Sequence, residues 1–171
     1  MQAGDLVFCT THGIMGWAIR FAQRRNQEVD WLTNHVAVLD APSGDSWTII
    51  QAQPRGVTND ALLTEVAIGG TFEVVALPRT VNREAFLDFQ RSEVGKKYSK
   101  SSITSDALNM LLPEKLYFRW SDAVVCSGLV ALGLMYGGFP AMKDVNDLYS
   151  ITPAQVKRAV LGDTNDGTSN G

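Results

Sequence analysis

The sequence predicts an α+β domain. Short strand-like runs fill most of the first half, helical patterns fill most of the second, and 171 residues suit one domain. Asp5–Phe8, opening from Gly4, is an apolar run fit for a first strand. Gly13–Arg25 carries Ile14, Trp17, Ala18 and Phe21 at helical spacing, so those four are expected to face the core, with Arg20, Arg24 and Arg25 toward solvent. His35–Asp40 and Ser46–Gln53 flank Ala41-Pro42-Ser43-Gly44-Asp45, which is dense in turn formers. They are expected to form an antiparallel hairpin. Phe72–Leu77 is a further strand closed by Pro78. Asn82–Val94 is a helix with Phe86, Leu87 and Val94 coreward, ended by Gly95.

The second half reads as helices. Ser101–Leu112 ends at Pro113, and Cys126–Tyr136 is an apolar helix stopped by Gly137-Gly138. Thr152-Pro153-Ala154-Gln155 has capping-box spacing with proline at the first helical position. Residues 1–161 are thus expected to form one domain. Residues 162–171 hold only Gly, Asp, Thr, Asn and Ser, and are expected to be a disordered tail.

Composition excludes several classes of function. Eighteen acidic against fifteen basic residues give a net charge of −3, which argues against a nucleic-acid partner. The longest apolar stretch, Ala123 to Met135, is shorter than the ~20 residues of a membrane span, so no integral membrane segment is expected. The N-terminus has no basic start followed by an apolar run. The expectation is therefore a chain without a signal peptide, cytoplasmic as synthesised. Two cysteines and two histidines leave few routes to acid–base or nucleophilic chemistry.

Cys126 opens a predicted helix, where the positive end of the macrodipole and unpaired N–H groups favour a thiolate. The same N–H groups suit an oxyanion formed on thiolate attack; the alternative is a small buried hydrophobe. His35, a polar ring at the start of an apolar strand, is a candidate base for that thiol. If the hairpin turns about Ser43, His35 falls directly opposite Gln51, whose amide can orient the imidazole; a one-residue slip would put Gln51 on the other face. Cys9 and His12 form a Cys-x-x-His string. A zinc site with His35 and Cys126 is conceivable, but without a second close-spaced pair no metal site is read, and His12 is taken as a cleft-lining residue.

These residues together resemble a family. Gly4-Asp5-Leu6-Val7-Phe8, Asn34-His35-Val36-Ala37-Val38, Gln51-Ala52-x-x-x-Gly56-Val57, Gly95-Lys96-Lys97-Tyr98-Ser99, Cys126-Ser127-Gly128-Leu129-Val130 and Tyr149-Ser150-x-Thr152-Pro153-Ala154 resemble the NlpC-type papain-like cysteine peptidases. The resemblance covers about residues 4 to 160. In the parent family the cysteine precedes the histidine. Here His35 comes first, as in the circularly permuted branch. The resemblance implies an antiparallel sheet or half-barrel packed against helices.

It also implies roles: Cys126 as nucleophile, His35 as general base and acid, and Gln51 as orienting residue. Tyr98, with Ser127 and His12, stands as a candidate for contacting substrate or oxyanion. Val125 stands where the parent family usually has aspartate, and the Asn-Cys-Glu-His motif of lipid-acyltransferase relatives is absent. The implied activity is hydrolysis of an amide or isopeptide bond in bacterial cell-wall peptides, with no cofactor and no metal, in a protein of bacterial or bacteriophage origin. A phage protein would be released by another factor or carried in a virion. Two alternatives stand beside it: lipid or acyl-ester chemistry on the same fold, and a non-catalytic binding or virion component.

Overall fold

The strand Leu6–Thr11 (β1) buries alternate residues on opposite sides, as a strand in a doubly covered sheet must. A computed structural model describes residues 1–12, 14–53, 56–68, 70–96, 126–143, 145, 148 and 151–166. After β1 come α1 (Ile14–Arg25), β2 (His35–Ser43), β3 (Ser46–Gln53), β4 (Gly56–Leu62), α2 (Leu63–Ile68), β5 (Gly70–Val75) and α3 (Arg83–Ser92). Then follow α4 (Cys126–Tyr136), a short 3-10 turn (Pro140–Met142) and α5 (Pro153–Asp166). The fold is α+β. Its five strands form one antiparallel sheet in the order β4-β3-β2-β1-β5.

One face of the sheet carries Leu6, Phe8, Val36, Val38, Ile50 and Ala52, which pack with Phe86 of α3, Leu129 and Leu134 of α4, and Val156 and Val160 of α5. Val7, Cys9, Ala37, Leu39 and Ile49 form a smaller cluster with Leu63 of α2. α4 is apolar all round because the core surrounds it. Gly133 within α4 and Gly137 just past its end let α3 approach closely. A Cβ at Gly133 would stand 2.9 Å from the Phe86 ring, and one at Gly137 would stand 3.2 Å from the Asn82 carbonyl oxygen. Asp5, itself buried, ties three segments together. It accepts from the Gln2 N–H (2.9 Å), the Leu77 N–H (3.3 Å) and Arg83 (3.0 Å).

The helix starts follow their local chemistry. Asn82 caps α3 by accepting from the Ala85 N–H at 3.1 Å. At α5, Thr152 Oγ1 accepts from the Gln155 N–H (3.1 Å) while Gln155 Oε1 accepts from the Thr152 N–H (3.0 Å), a reciprocal capping box.

Several expectations need correction. β1 extends to Thr11, and β5 begins at Gly70 and ends at Val75 rather than spanning 72–77. Ala41, Pro42 and Ser43 belong to β2, so the hairpin turns at Gly44-Asp45, with Gly44 at φ +58°. β4 and α2 were not expected. The polar stretch Thr58-Asn59-Asp60 gives no alternation, yet it pairs with the outer side of β3. α5 runs through Asp166, so residues 162–166 are helical rather than tail. Trp17 and Phe21 are exposed, on the same side of α1 as the arginines rather than opposite them. The helix read over 101–112 lies outside the described residues. Among the described residues no helix is long and apolar enough to cross a membrane.

Candidate active site

Cys126 is the first residue of α4 and is 7% exposed. β2 starts at His35 and runs past it, because Val36 and Val38 pack in the core beside Leu129 and Val130. This packing brings the helix start to the strand start. His35 hydrogen-bonds the Cys126 thiol, and the backbone N–H groups of Val36 and Ser127 donate to the same sulfur. His35 Nε2–H donates to Gln51 Oε1 at 3.0 Å, which leaves Nδ1 as the ring nitrogen for the sulfur. Gln51 is buried on β3. Cys126, His35 and Gln51 thus form one connected line.

The electrostatics divide the charge between the first two. Burial pushes the Cys126 thiol up, but the charge and hydrogen bond of His35 and the two backbone donors outweigh it. The thiol titrates below its ordinary value. Burial pushes the His35 imidazole down, and the Cys126 thiolate and the bonds to Cys126 and Gln51 overcome that, so the ring titrates above its ordinary value. Each partner thus draws the other toward its charged form, the thiol toward thiolate and the imidazole toward imidazolium. The other cysteine behaves oppositely: Cys9 is pushed up to about 12, first by burial and second by the charge on Cys126. Cys9 stays a neutral thiol, with Sγ turned to the Val7 carbonyl at 3.8 Å. Alkylation at neutral pH is thus directed to Cys126.

Gln51 reaches His35 along a diagonal. Val38 pairs with Ile50 and Leu39 with Ile49, and the same register carried toward His35 sets Ala37 across from Gln51. The expected direct opposition is thus replaced by a contact between neighbours on one face. Ser127 is not placed for substrate through its side chain. Its hydroxyl donates to the Ile151 carbonyl at 2.6 Å, tying α4 to the segment before α5, and only its N–H faces the sulfur. His12 lies exposed just beyond β1, and Tyr98 lies outside the described residues. Among the described residues no group of three or more His, Cys, Asp or Glu could hold a metal ion.

Two buried amides to which sequence reasoning assigned no role hold the histidine's approach. Asn34 Oδ1 accepts from the Thr11 N–H (2.9 Å), and its Nδ2 donates to the carbonyls of Thr11 (2.9 Å) and Gly16 (3.2 Å). Gln23 Nε2 donates to the carbonyls of Trp31 (2.9 Å) and Thr33 (2.7 Å), and its Oε1 accepts from the Ala154 N–H (3.3 Å). The available signal was the position of Asn34, immediately before the histidine; Gln23 carried none, because helical spacing put it on the side away from Trp17 and Phe21. A groove of about 370 Å³ lies against β1, β5 and the loop before β2, lined by Phe8, Thr10, Trp31, Thr33, Phe72 and Lys157 among others; Cys126, His35 and Gln51 do not line it.

No protein-family model matches the chain, and no curated protein matches it.

Proposed function

We propose that the chain is a cysteine hydrolase that cleaves an amide bond, with bacterial cell-wall peptides, including an isopeptide near D-glutamate, as its substrate class. The observation that supports the reaction is the mutual shift of His35 and Cys126, each drawn toward its charged form by the other. The substrate class is supported by the resemblance of the quoted motifs to the permuted NlpC-type peptidases.

In this reading the Cys126 thiolate attacks the carbonyl carbon, and the oxyanion forms near the N–H groups at the start of α4. As the C–N bond breaks, the His35 imidazolium gives its proton to the leaving amine, and a thioester remains on Cys126. Neutral His35 then takes a proton from water as the hydroxyl adds to the thioester. Collapse expels the thiolate and releases the acid, leaving the imidazolium as at the start. No cofactor enters this cycle.

The test is to mix the protein with cell-wall peptide fragments and follow two products. A thioester adduct on Cys126, seen by mass after acid quench, together with release of a free amine is the expected outcome. Absence of both across fragments carrying amide and isopeptide bonds rejects the reading. Transfer of an acyl group from a lipid ester, without amide cleavage, replaces it with acyl-ester chemistry.

Gln51→Ala removes the acceptor that holds the ring. It is expected to lower turnover by up to about 100-fold, because a misplaced base loses the aligned geometry, with little change in the amount of folded protein. Gln51→Glu adds a charge beside Nε2 and should move the alkaline limb of the pH profile upward. A pH–rate series on both variants checks this.

A further inference from the structure

α1 carries its large side chains on the outside. Trp17 and Phe21 stand one turn apart with rings stacked, centroids 5.5 Å apart and planes inclined by 20°. They are 60% and 44% exposed. Helical spacing sets Arg20, Arg24 and Arg25 around the same face, and Arg24 and Arg25 are exposed. The inner face is small and polar instead: Gly16, Ala22 and Gln23 are buried.

The helix cannot turn its aromatics inward. A Cβ at Gly16 would meet Asn34 Nδ2 at 2.6 Å and the Thr11 carbonyl at 2.7 Å, so only glycine fits against that wall. Gln23 is held by the carbonyls of Trp31 and Thr33 and by the Ala154 N–H. Rotation of α1 would break all of these bonds inside the protein. The aromatic stripe is therefore fixed toward whatever lies outside.

Charge identifies what that is. α1 holds three arginines and no acidic residue, on a chain whose net charge is −3. The acids in the following loop are engaged elsewhere. Glu28 accepts from the Thr152 hydroxyl at 2.7 Å, and Asp30 pairs with Lys157 at 3.1 Å. The same loop adds exposed Val29 and Leu32. Two copies of this face meeting symmetrically would bring arginine against arginine, which opposes self-association. A bilayer surface offers both things the face needs: an apolar boundary for the rings and anions at the level of the guanidinium groups.

We propose that α1 is a docking helix for an anionic phospholipid bilayer, seating Trp17 and Phe21 at the headgroup–acyl boundary with Arg24 and Arg25 on the headgroups. Asn34, the residue before His35, donates to the Gly16 carbonyl in the first turn of α1. Docking therefore also holds the candidate site close to the membrane surface. The docking proposal does not depend on the hydrolase reading, and Cys126→Ala should bind vesicles as wild type does.

The experiment mixes wild-type protein with vesicles of phosphatidylglycerol and phosphatidylcholine, and with phosphatidylcholine alone, reading co-sedimentation and tryptophan emission. Wild type is expected to bind the anionic vesicles, less as salt rises, with a blue shift that Trp17→Ala removes. Trp17→Ala/Phe21→Ala and Arg24→Glu/Arg25→Glu are each expected to bind at least about tenfold more weakly. An unchanged alkylation rate at Cys126 shows that a variant is folded. If one double variant fails to fold, the other and the wild-type salt series still decide. No binding by wild type overturns the proposal, as does equal binding by the folded variants. So does a dimer, or an oligonucleotide complex, that these substitutions abolish while no vesicle binding is seen.

Discussion

His35→Ala is expected to lower turnover by about 10³-fold or more, the range lost with a general acid–base that also activates the nucleophile. The variant should also change the pH dependence of Cys126 itself. In the wild type, His35 opposes the burial that pushes the thiol up. Without the imidazolium, burial is opposed only by the Val36 and Ser127 N–H groups, so the alkylation midpoint should move upward. At neutral pH the alkylation rate should fall by at least about tenfold.

In the wild type, activity should rise as the pair gains its thiolate, at a pH below the ordinary thiol value of 9.0. It should fall as the imidazolium loses its proton, above the ordinary histidine value of 6.5. Cys126→Ala is the control: it should abolish both labelling and turnover, because burial alone holds the Cys9 thiol above its ordinary value and Cys9 is not a substitute. Wild-type turnover by Cys126→Ala, or an unmoved alkylation midpoint in His35→Ala, would contradict the paired assignment.

Gly133→Leu is expected to destabilise the fold by about 3 kcal/mol. The first added carbon would stand 2.9 and 3.0 Å from ring carbons of Phe86 and closer still to the Gln90 amide. Phe86 is fully buried and has no room to retreat. Gln90 would lose the bond it donates to the Leu129 carbonyl at 3.0 Å, leaving that buried carbonyl without the amide that bonds it. Because α4 carries Cys126 at its start, forcing α3 and α4 apart should also displace the thiol and lower alkylation. Gly162→Ala in α5 is the comparison. A Cβ there meets open space, so it should be neutral or stabilise by up to about 1 kcal/mol. Urea unfolding followed by circular dichroism measures both.

Much of the fold was legible where local chemistry decides it. The turn formers before Ser46, the Thr152–Gln155 capping box and the Asn82 cap each act over a few residues and can be read directly. Periodicity identified α1 but not its inner face, because that face is chosen by distant partners: Asn34 against Gly16, and Gln23 beneath the strand approach. β4 was illegible because its pairing comes from the open side of β3 rather than from its own pattern.

The candidate site shows both outcomes in one hairpin. With the turn at Gly44-Asp45, a regular ladder would place Gln51 on the face opposite to His35. An irregularity between Leu39 and Ala41 leaves Asp40 as an extra residue and restores the parity. Asp40 also pairs with Arg91 of α3 at 2.8 Å. Residue identity therefore suggested the contact, while the route to it ran through a bulge that no local pattern announced.

The exchange of charge between Cys126 and His35 has a thermodynamic consequence. Forming thiolate and imidazolium from thiol and imidazole moves a proton from one side chain to the other and takes none from solvent. The raised imidazole contributes stability that is complete below its unfolded pKa and declines as pH rises toward its folded one. The lowered thiol contributes stability that is complete above its unfolded pKa and declines as pH falls toward its folded one. Where the two shifts overlap, the slopes are equal and opposite. Through that interval the pair can be fully charged while folding neither absorbs nor releases a proton on its account, so this stored electrostatic energy is invisible to the pH dependence of stability and emerges only beyond the interval's two ends.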